Sequence, residues 1–357
     1  MVRSTDEETR RLRIGYVPLL DAAGILALVH KGFAEDEGLH VTVHRERSWA
    51  ATRDKLAVGY LDAAHLLAPI AVASRVGLGN PASRLSVPLM LSANGNEVTV
   101  SAELAALCEN RIGYRPSQPG EWGAALASIV RDGAGRGAQP FTIGLVFPFS
   151  SHAYLMRRWL CDAGLDPDRD VNLVVIPPQQ MADALADGMI DAFCAGPPWG
   201  RLAEDSGRAV LAFRAVQLVL DAPEKALAIG ETDRFRDPET LARLIRATHA
   251  ASRWADAAEN RHELVELLSR PDTLALPATV IEEALGRSGM QLFGEGVNRP
   301  SDRHARWIFH EMQRWHGIPD AREPDALAAF RADLYDGALP PVASTVSTRQ
   351  DLPDSRA

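Results

Sequence analysis

The sequence predicts an α/β protein of two similar lobes, each a mainly parallel sheet flanked by helices. Three observations predict it. Short apolar runs alternate with helix-period segments from Leu12 onward, the pattern of strand–helix–strand units. That alternation begins again near Phe141. Two stretches also resemble each other across the division: Lys55-Leu-Ala-Val-Gly59-Tyr-Leu-Asp62-Ala-Ala and Ala184-Leu-Ala-Asp-Gly188-Met-Ile-Asp191-Ala-Phe. In each, a short helix ends at a glycine suited to a left-handed cap, and an Asp then opens a buried strand. With 357 residues, the chain is long enough for about two domains.

In the first series, strands are expected at 13–17, 41–45, 63–67 and 88–92, with helices at 22–36, 51–58 and 70–76. In the second, strands fall at 141–147, 172–176 and 192–195, with helices at 151–163 and 181–186. A helix at 122–130 precedes them, followed by a loop at 132–137. From Pro238 to Gly317, apolar spacing of three and four predicts helices at 243–258, 261–269, 278–286 and 301–315. Asp237-Pro238 and Ser301-Asp302 are suitable helix starts. One more amphipathic helix spans 323–335, and the polar, Pro-containing end (341–357) reads as a flexible tail.

Composition excludes several functions. Apolar residues make up 46% and charged residues 24%, the mix of an ordinary globular protein. Lys+Arg 38 against Asp+Glu 47 leaves a net charge of −9, which argues against direct nucleic-acid or membrane-surface binding. No apolar run is long enough to span a bilayer. The first residues, MVRSTDEETRR, lack the basic and then apolar pattern of a secretory signal, so a cytoplasmic protein is expected. Cys108, Cys161 and Cys194 form no C-x-x-C pair and read as buried thiols.

The motifs of hydrolytic, nucleotide-binding and zinc sites do not occur. Gly133-Ala-Gly-Arg-Gly137 follows no strand, so it reads as a loop and not as a phosphate cradle. His304, His310 and His316 are six apart, on different helix faces, and do not suit a shared metal. No catalytic residue, metal or cofactor is expected. The chain reads as a binder, not an enzyme.

Four segments carry a family resemblance. They are Glu46-Arg-Ser-Trp49-Ala50-Ala-Thr-Arg53-Asp54-Lys55, continuing to Asp62-Ala-Ala-His65; Phe147-Pro-Phe-Ser-Ser-His152 with Arg158-Trp159; Pro177-Pro178-Gln179-Gln-Met181 leading to Gly196-Pro-Pro198-Trp199; and Pro223-Glu224-Lys225. Together they resemble the nitrate- and bicarbonate-binding proteins of ABC transporters. The resemblance implies a two-lobed periplasmic-binding-protein-like fold (type II) that closes on a small ligand. It implies a first lobe of 12–97 and 226–340 and a second of 98–225, with crossings near 96–101 and 226–230. With no export signal, the chain resembles the cytosolic branch, the NasS-type nitrate/nitrite sensors. These hold an ANTAR-type RNA-binding antiterminator (NasT-like) inactive and release it when the anion binds. A transport receptor whose signal has been removed, an enzyme on the same fold and a sulfonate ligand are the competing readings.

The resemblance also implies a site of Trp49, Ala50, Asn96, His152, Pro178 and Lys225. A desolvated oxyanion needs a compensating charge and several donors. Lys225, one of only three lysines, matches the family's anion-pairing amine, where the bicarbonate branch has a glutamate working with calcium. Trp49 would offer an indole N–H and Ala50 a backbone N–H at a helix start. His152 would donate from its ring, Pro178 would line the pocket, and Asn96 would supply an amide where receptors carry Gln. On their own residue types, Lys225 reads as a solvated surface lysine, Trp49 as core and His152 as a helix-entry contact. His65 reads either as a satisfied core histidine or as pocket lining.

Overall fold

The structure is a computed structural model that describes residues 11–79, 84–134, 137, 139–230, 235–294 and 296–339. The expected tail at 341–357, and residues 135, 136 and 138 around the expected 132–137 loop, lie outside the described residues. Ten strands are described: β1 Arg11–Tyr16, β2 His40–Arg45, β3 Ala63–Leu67, β4 Ser86–Met90, β5 Glu97–Ser101, β6 Thr142–Leu145, β7 Asn172–Val175, β8 Ala192–Ala195, β9 Ala209–Arg214 and β10 Lys225–Ile229.

The chain divides into two compact units. The first holds Met1–Ala93, Asp221–Ala278 and Gln291–Ala357; the second holds Asn94–Leu220 and Thr279–Met290. The changes at 93/94 and 220/221 fall a few residues before the expected crossings, and a third segment joins the second unit. Lys225, expected at the end of the second lobe, belongs to the first unit. The reason is that β10 pairs with β3 and β4 from its first residues onward.

Each unit has a five-stranded sheet of the same design. The first has the order β2-β1-β3-β10-β4 and the second β7-β6-β8-β5-β9. In the first, β1 is parallel to β2 and β3, while β10 runs antiparallel to β3 and β4. In the second, β6 is parallel to β7 and β8, while β5 runs antiparallel to β8 and β9. Four strands therefore point one way, and the fourth in spatial order is reversed. The reversed strand is in each case the first strand formed after the chain crosses from the other unit.

The sequence repeat has a structural counterpart. Gly59 and Gly188 adopt left-handed φ values of 72° and 69°, which end the preceding helices. Asp62 then accepts from Arg13 N at 2.8 Å, and Asp191 accepts from Thr142 N at 2.7 Å. Each Asp backbone N–H donates in return, to Arg13 O and Thr142 O. Both carboxylates thus clamp the first parallel strand of their own sheet.

Several elements differ from expectation. The helix expected at 22–36 is a turn at Leu20–Ala22 followed by Ala23–His30 and Phe33–Asp36, broken where Gly32 takes φ 81°. The helix expected at 323–335 splits into Glu323–Leu327 and Ala332–Ala338. Between them the backbone pairs with β4: Val87 N donates to Ala329 O, and Arg331 N donates to Val87 O. The helix Pro119–Ala134 continues into the expected loop. The sheets bury Ile14, Leu66 and Leu227 in the first unit. In the second they bury Val98, Leu126, Ile143 and Phe213, with the Trp159 and Phe213 rings 5.2 Å apart.

Candidate functional site

Open α/β sheets place ligands beyond the carboxyl ends of their parallel strands. In the first unit that edge carries a buried polar cluster. Asp21 follows β1, Trp49 opens the helix Trp49–Ala57 after β2, and His65 is the middle residue of β3. Lys225 starts β10 opposite Leu67, and His65 lies opposite Leu227 on the same face. Ser48 caps the helix by accepting from Ala51 N at 3.1 Å, which fixes the backbone entering Trp49.

The Lys225 amine is wholly buried. Its Nζ lies 2.8 Å from Asp21 Oδ2 and 2.9 Å from Glu224 Oε2. Asp21 Oδ1 is in turn 2.9 Å from His65 Nε2. The Trp49 and His65 rings are 5.3 Å apart, and Lys225 Nζ sits 5.7 Å from the Trp49 ring centroid. Burial opposes the charge on Lys225, but the two carboxylates outweigh it and hold the amine above the usual lysine range. Burial likewise opposes ionisation of Asp21, yet Lys225 and His65 keep its carboxyl below the usual range. For His65 burial prevails over the Asp21 hydrogen bond, and its pKa is lowered.

Lys225 is therefore not the solvated lysine of the simplest reading, and neither is it a lone cation. Two carboxylates already pair with it. An ammonium has three N–H donors, so one remains for a ligand. Two other nitrogens of the cluster, Trp49 Nε1 and His65 Nδ1, are buried with no hydrogen-bond partner among the described residues. Buried polar atoms are almost always paired, so these two nitrogens, together beside a buried ammonium, make the cluster a candidate binding place. His65 is thus half satisfied, through Nε2 only.

The remaining expected residues lie in the second unit, at the corresponding edge of its sheet. Asn96 immediately precedes β5, and its carbonyl accepts from Ala215 N at 2.8 Å. His152 is fully buried in the first turn of Ser151–Asp162, which Ser150 caps through Ala153 N. Pro178 opens a short turn, Pro178–Gln180, after β7. Trp49, Ala50 and Lys225 are thus brought together in one unit, and Asn96, His152 and Pro178 occupy the other.

Two buried acids at these sheet edges were not singled out by sequence reasoning. Asp21 had a signal: it is the only charged residue in the apolar run from Val17 to Val29. Glu97 had none beyond its place after Asn96. It is fully buried, its Oε1 lies 3.5 Å from Arg287 Nε, and burial pushes its carboxyl up to about 7 against Arg287 and Arg214. Arg287 also pairs with Glu204. A Cβ on Gly200 would come within 2.7 Å of Thr99 Oγ1 and 2.9 Å of Glu97 Oε2, so only glycine fits there. Among the described residues, no group of three or more His, Cys, Asp or Glu is arranged to hold a metal ion, and no helix is long and apolar enough to cross a membrane.

The paired sheets, each with one reversed strand, define a periplasmic-binding-protein-like fold. Solved structures share it. The periplasmic nitrate-binding protein NrtA from Synechocystis PCC 6803 superposes with a TM-score of 0.83 at 24% identity, covering 92% of this chain and 88% of that one. The alkanesulfonate-binding protein SsuA from Xanthomonas axonopodis pv. citri, bound to MOPS, gives 0.65 at 16% identity, covering 90% and 96%. The model of the NMT1-like family matches residues 5–269, and the chain belongs to that family. Among relatives, the bicarbonate transport ATP-binding protein CmpC of Synechococcus elongatus is 33% identical over 88% of this chain and 47% of its own length. The nitrate/nitrite binding protein NrtA of Nostoc sp. is 27% identical over 87% of this chain and 72% of its own. The chain spans about half the length of CmpC.

Proposed function

We propose that this chain binds a small monovalent oxyanion, nitrate or nitrite, at the Trp49–His65–Lys225 cluster, without turning it over. The observation that carries this reading is Trp49 Nε1, a buried indole N–H with no partner among the described residues, beside a buried ammonium. Such an orphan donor costs roughly 1–3 kcal/mol, which a bound oxygen would offset. The third Lys225 N–H supplies a charge-assisted bond. The N–H groups of Trp49 and Ala50 have no partner within their helix, and its positive end favours an anion. The names of the NrtA and CmpC relatives, one nitrate and one bicarbonate, support a small trigonal oxyanion. The lysine following Pro223-Glu224 favours nitrate over bicarbonate by the resemblance described above.

In the finer reading, the protein works in the cytoplasm as a sensor. It holds an ANTAR-type, NasT-like antiterminator and releases it when the anion binds, which controls nitrate assimilation. That part rests on the resemblance of the four segments to the sensor branch. The transporter relatives favour a second reading, an ABC receptor for the same ligand.

Calorimetric titration with nitrate, nitrite, bicarbonate and a short alkanesulfonate tests the binding reading. Nitrate and nitrite should bind more tightly than the other two and be recovered unchanged. Trp49→Phe removes one donor and should weaken nitrate about tenfold. Heat only with bicarbonate would reassign the ligand, and unchanged affinity in the variant would move it elsewhere. For the sensor, a complex with the NasT-like partner should elute from a sizing column without nitrate and separate with it.

A further inference from the structure

Asp21 fixes the tautomer of His65. A carboxylate only accepts, so the His65 Nε2 at 2.9 Å from Asp21 Oδ1 carries the ring proton and donates it. The neutral ring then presents Nδ1 as a bare lone pair, buried and unpartnered among the described residues. Charge points the same way. The one positive charge of Lys225 is already committed to the carboxylates of Asp21 and Glu224. An incoming monovalent anion would add a negative charge beside Asp21 away from water, where like charges repel most strongly. It would also meet a lone pair instead of a donor. A single proton on Nδ1 removes both obstacles, turning the acceptor into a donor and restoring the original charge.

We infer that oxyanion binding at this cluster takes up one proton, on His65 Nδ1, so that affinity rises as the pH falls. The inference rests on the oxyanion reading of the site. Asp21 and Glu224 are poorer acceptors for the proton, because each already receives the Lys225 ammonium and would lose a charge-assisted bond. Asp21 and Lys225 are the charged groups acting on the His65 ring, with Glu224 next to Lys225. Trp49 from its helix and Leu227 from β10 also neighbour the ring, and neither titrates. In the free protein, burial lowers the pKa of the ring and so favours its neutral form. A bound anion in contact with it favours the imidazolium. Between the free and bound pKa values, each pH unit shifts affinity by about tenfold.

The test is titration of the full chain with sodium nitrate from about pH 6 to 8.5, with the heats near pH 8 compared in bicine and in Tris, whose ionisation enthalpies differ. The two buffers should give different heats, corresponding to about one proton taken up per nitrate. Affinity should fall about tenfold per pH unit. His65→Gln keeps an amide donor for Asp21 but no titrating ring; it should bind nitrate more weakly, with equal heats in both buffers and a flat pH profile. Nitrate binding by the unsubstituted protein with equal heats and no pH slope would overturn the inference and leave the oxyanion reading standing. Full proton uptake persisting in His65→Gln would overturn the assignment to that ring. No nitrate binding at any pH would overturn the oxyanion reading and this inference with it. The buffer comparison needs no variant, so it decides the matter even if His65→Gln fails to fold.

Discussion

Lys225 and Glu97 hold the same place in the two units. Each is the first residue of the reversed strand, set opposite the last residue of the neighbouring parallel strand, Leu67 in one case and Ala195 in the other. Both are wholly buried. Their surroundings differ. The amine has two carboxylates within 3 Å, whereas the carboxylate has one guanidinium nitrogen at 3.5 Å, and that arginine is shared with Glu204. The amine therefore stays charged, while the acid is pushed up to about 7. Strand order delivers an ionisable group to the carboxyl edge of each sheet, and the residues around it decide whether the charge survives burial.

Breaking the first side of that comparison has the largest expected effect. Lys225→Met would leave Asp21 and Glu224 buried beside an apolar chain, and removing one partner of a buried pair costs about 3–5 kcal/mol. Urea unfolding at neutral pH measures it; a loss below about 1 kcal/mol would mean that the carboxylates do not depend on the amine.

The second side is smaller and depends on pH. The folded pKa of Glu97, about 7, lies above its ordinary value of 4.5, so the folded state keeps a proton that the unfolded chain releases in between. Its contribution to stability is fully present below 4.5 and is lost as the pH rises through about 7. Glu97→Gln should flatten this fall and be more stable than the parent at pH 8 by about 1–3 kcal/mol. Urea midpoints at pH 5 and 8 check the sign, and a variant that loses stability equally at both would refute it.

The smallest effect concerns the symmetry itself. Asp62→Ala and Asp191→Ala each remove the clamp on a first parallel strand, and each should cost about 1–2 kcal/mol. The Arg13 ion pair of Asp62 is partly exposed and adds little. Thermal unfolding of the two variants side by side would break the equivalence if only one of them lost stability.

Much of this arrangement was legible in the sequence. β3, β8 and the helices Met181–Ala186 and Arg261–Ser269 fall where their apolar patterns place them, because local periodicity and burial agree there. The Gly-to-Asp repeat was legible because both residue types serve backbone geometry that few others can. Lys225 stood out through the rarity of lysine and its Pro-Glu setting. The reversed strands β5 and β10 lie at the crossings that the resemblance implied, whereas β9 was missed, as were the helices Ala102–Ile112 and Trp199–Asp205. Their short patterns acquire meaning only from partners distant in the chain. Asp21 and Glu97 were missed for a related reason: a lone acid in an apolar run looks like a helix start or a loop residue until its partner, more than a hundred residues away, is in place.

The exchanged strands also set the order in which the molecule can be completed during synthesis. The second sheet has all five strands once Arg214 has emerged, and each was made after residue 96. The first sheet, although begun at residue 11, lacks its fourth strand until Ile229 has been translated. Its early strands must wait while all five strands of the later sheet pass out of the ribosome, so the sheet begun first is finished last.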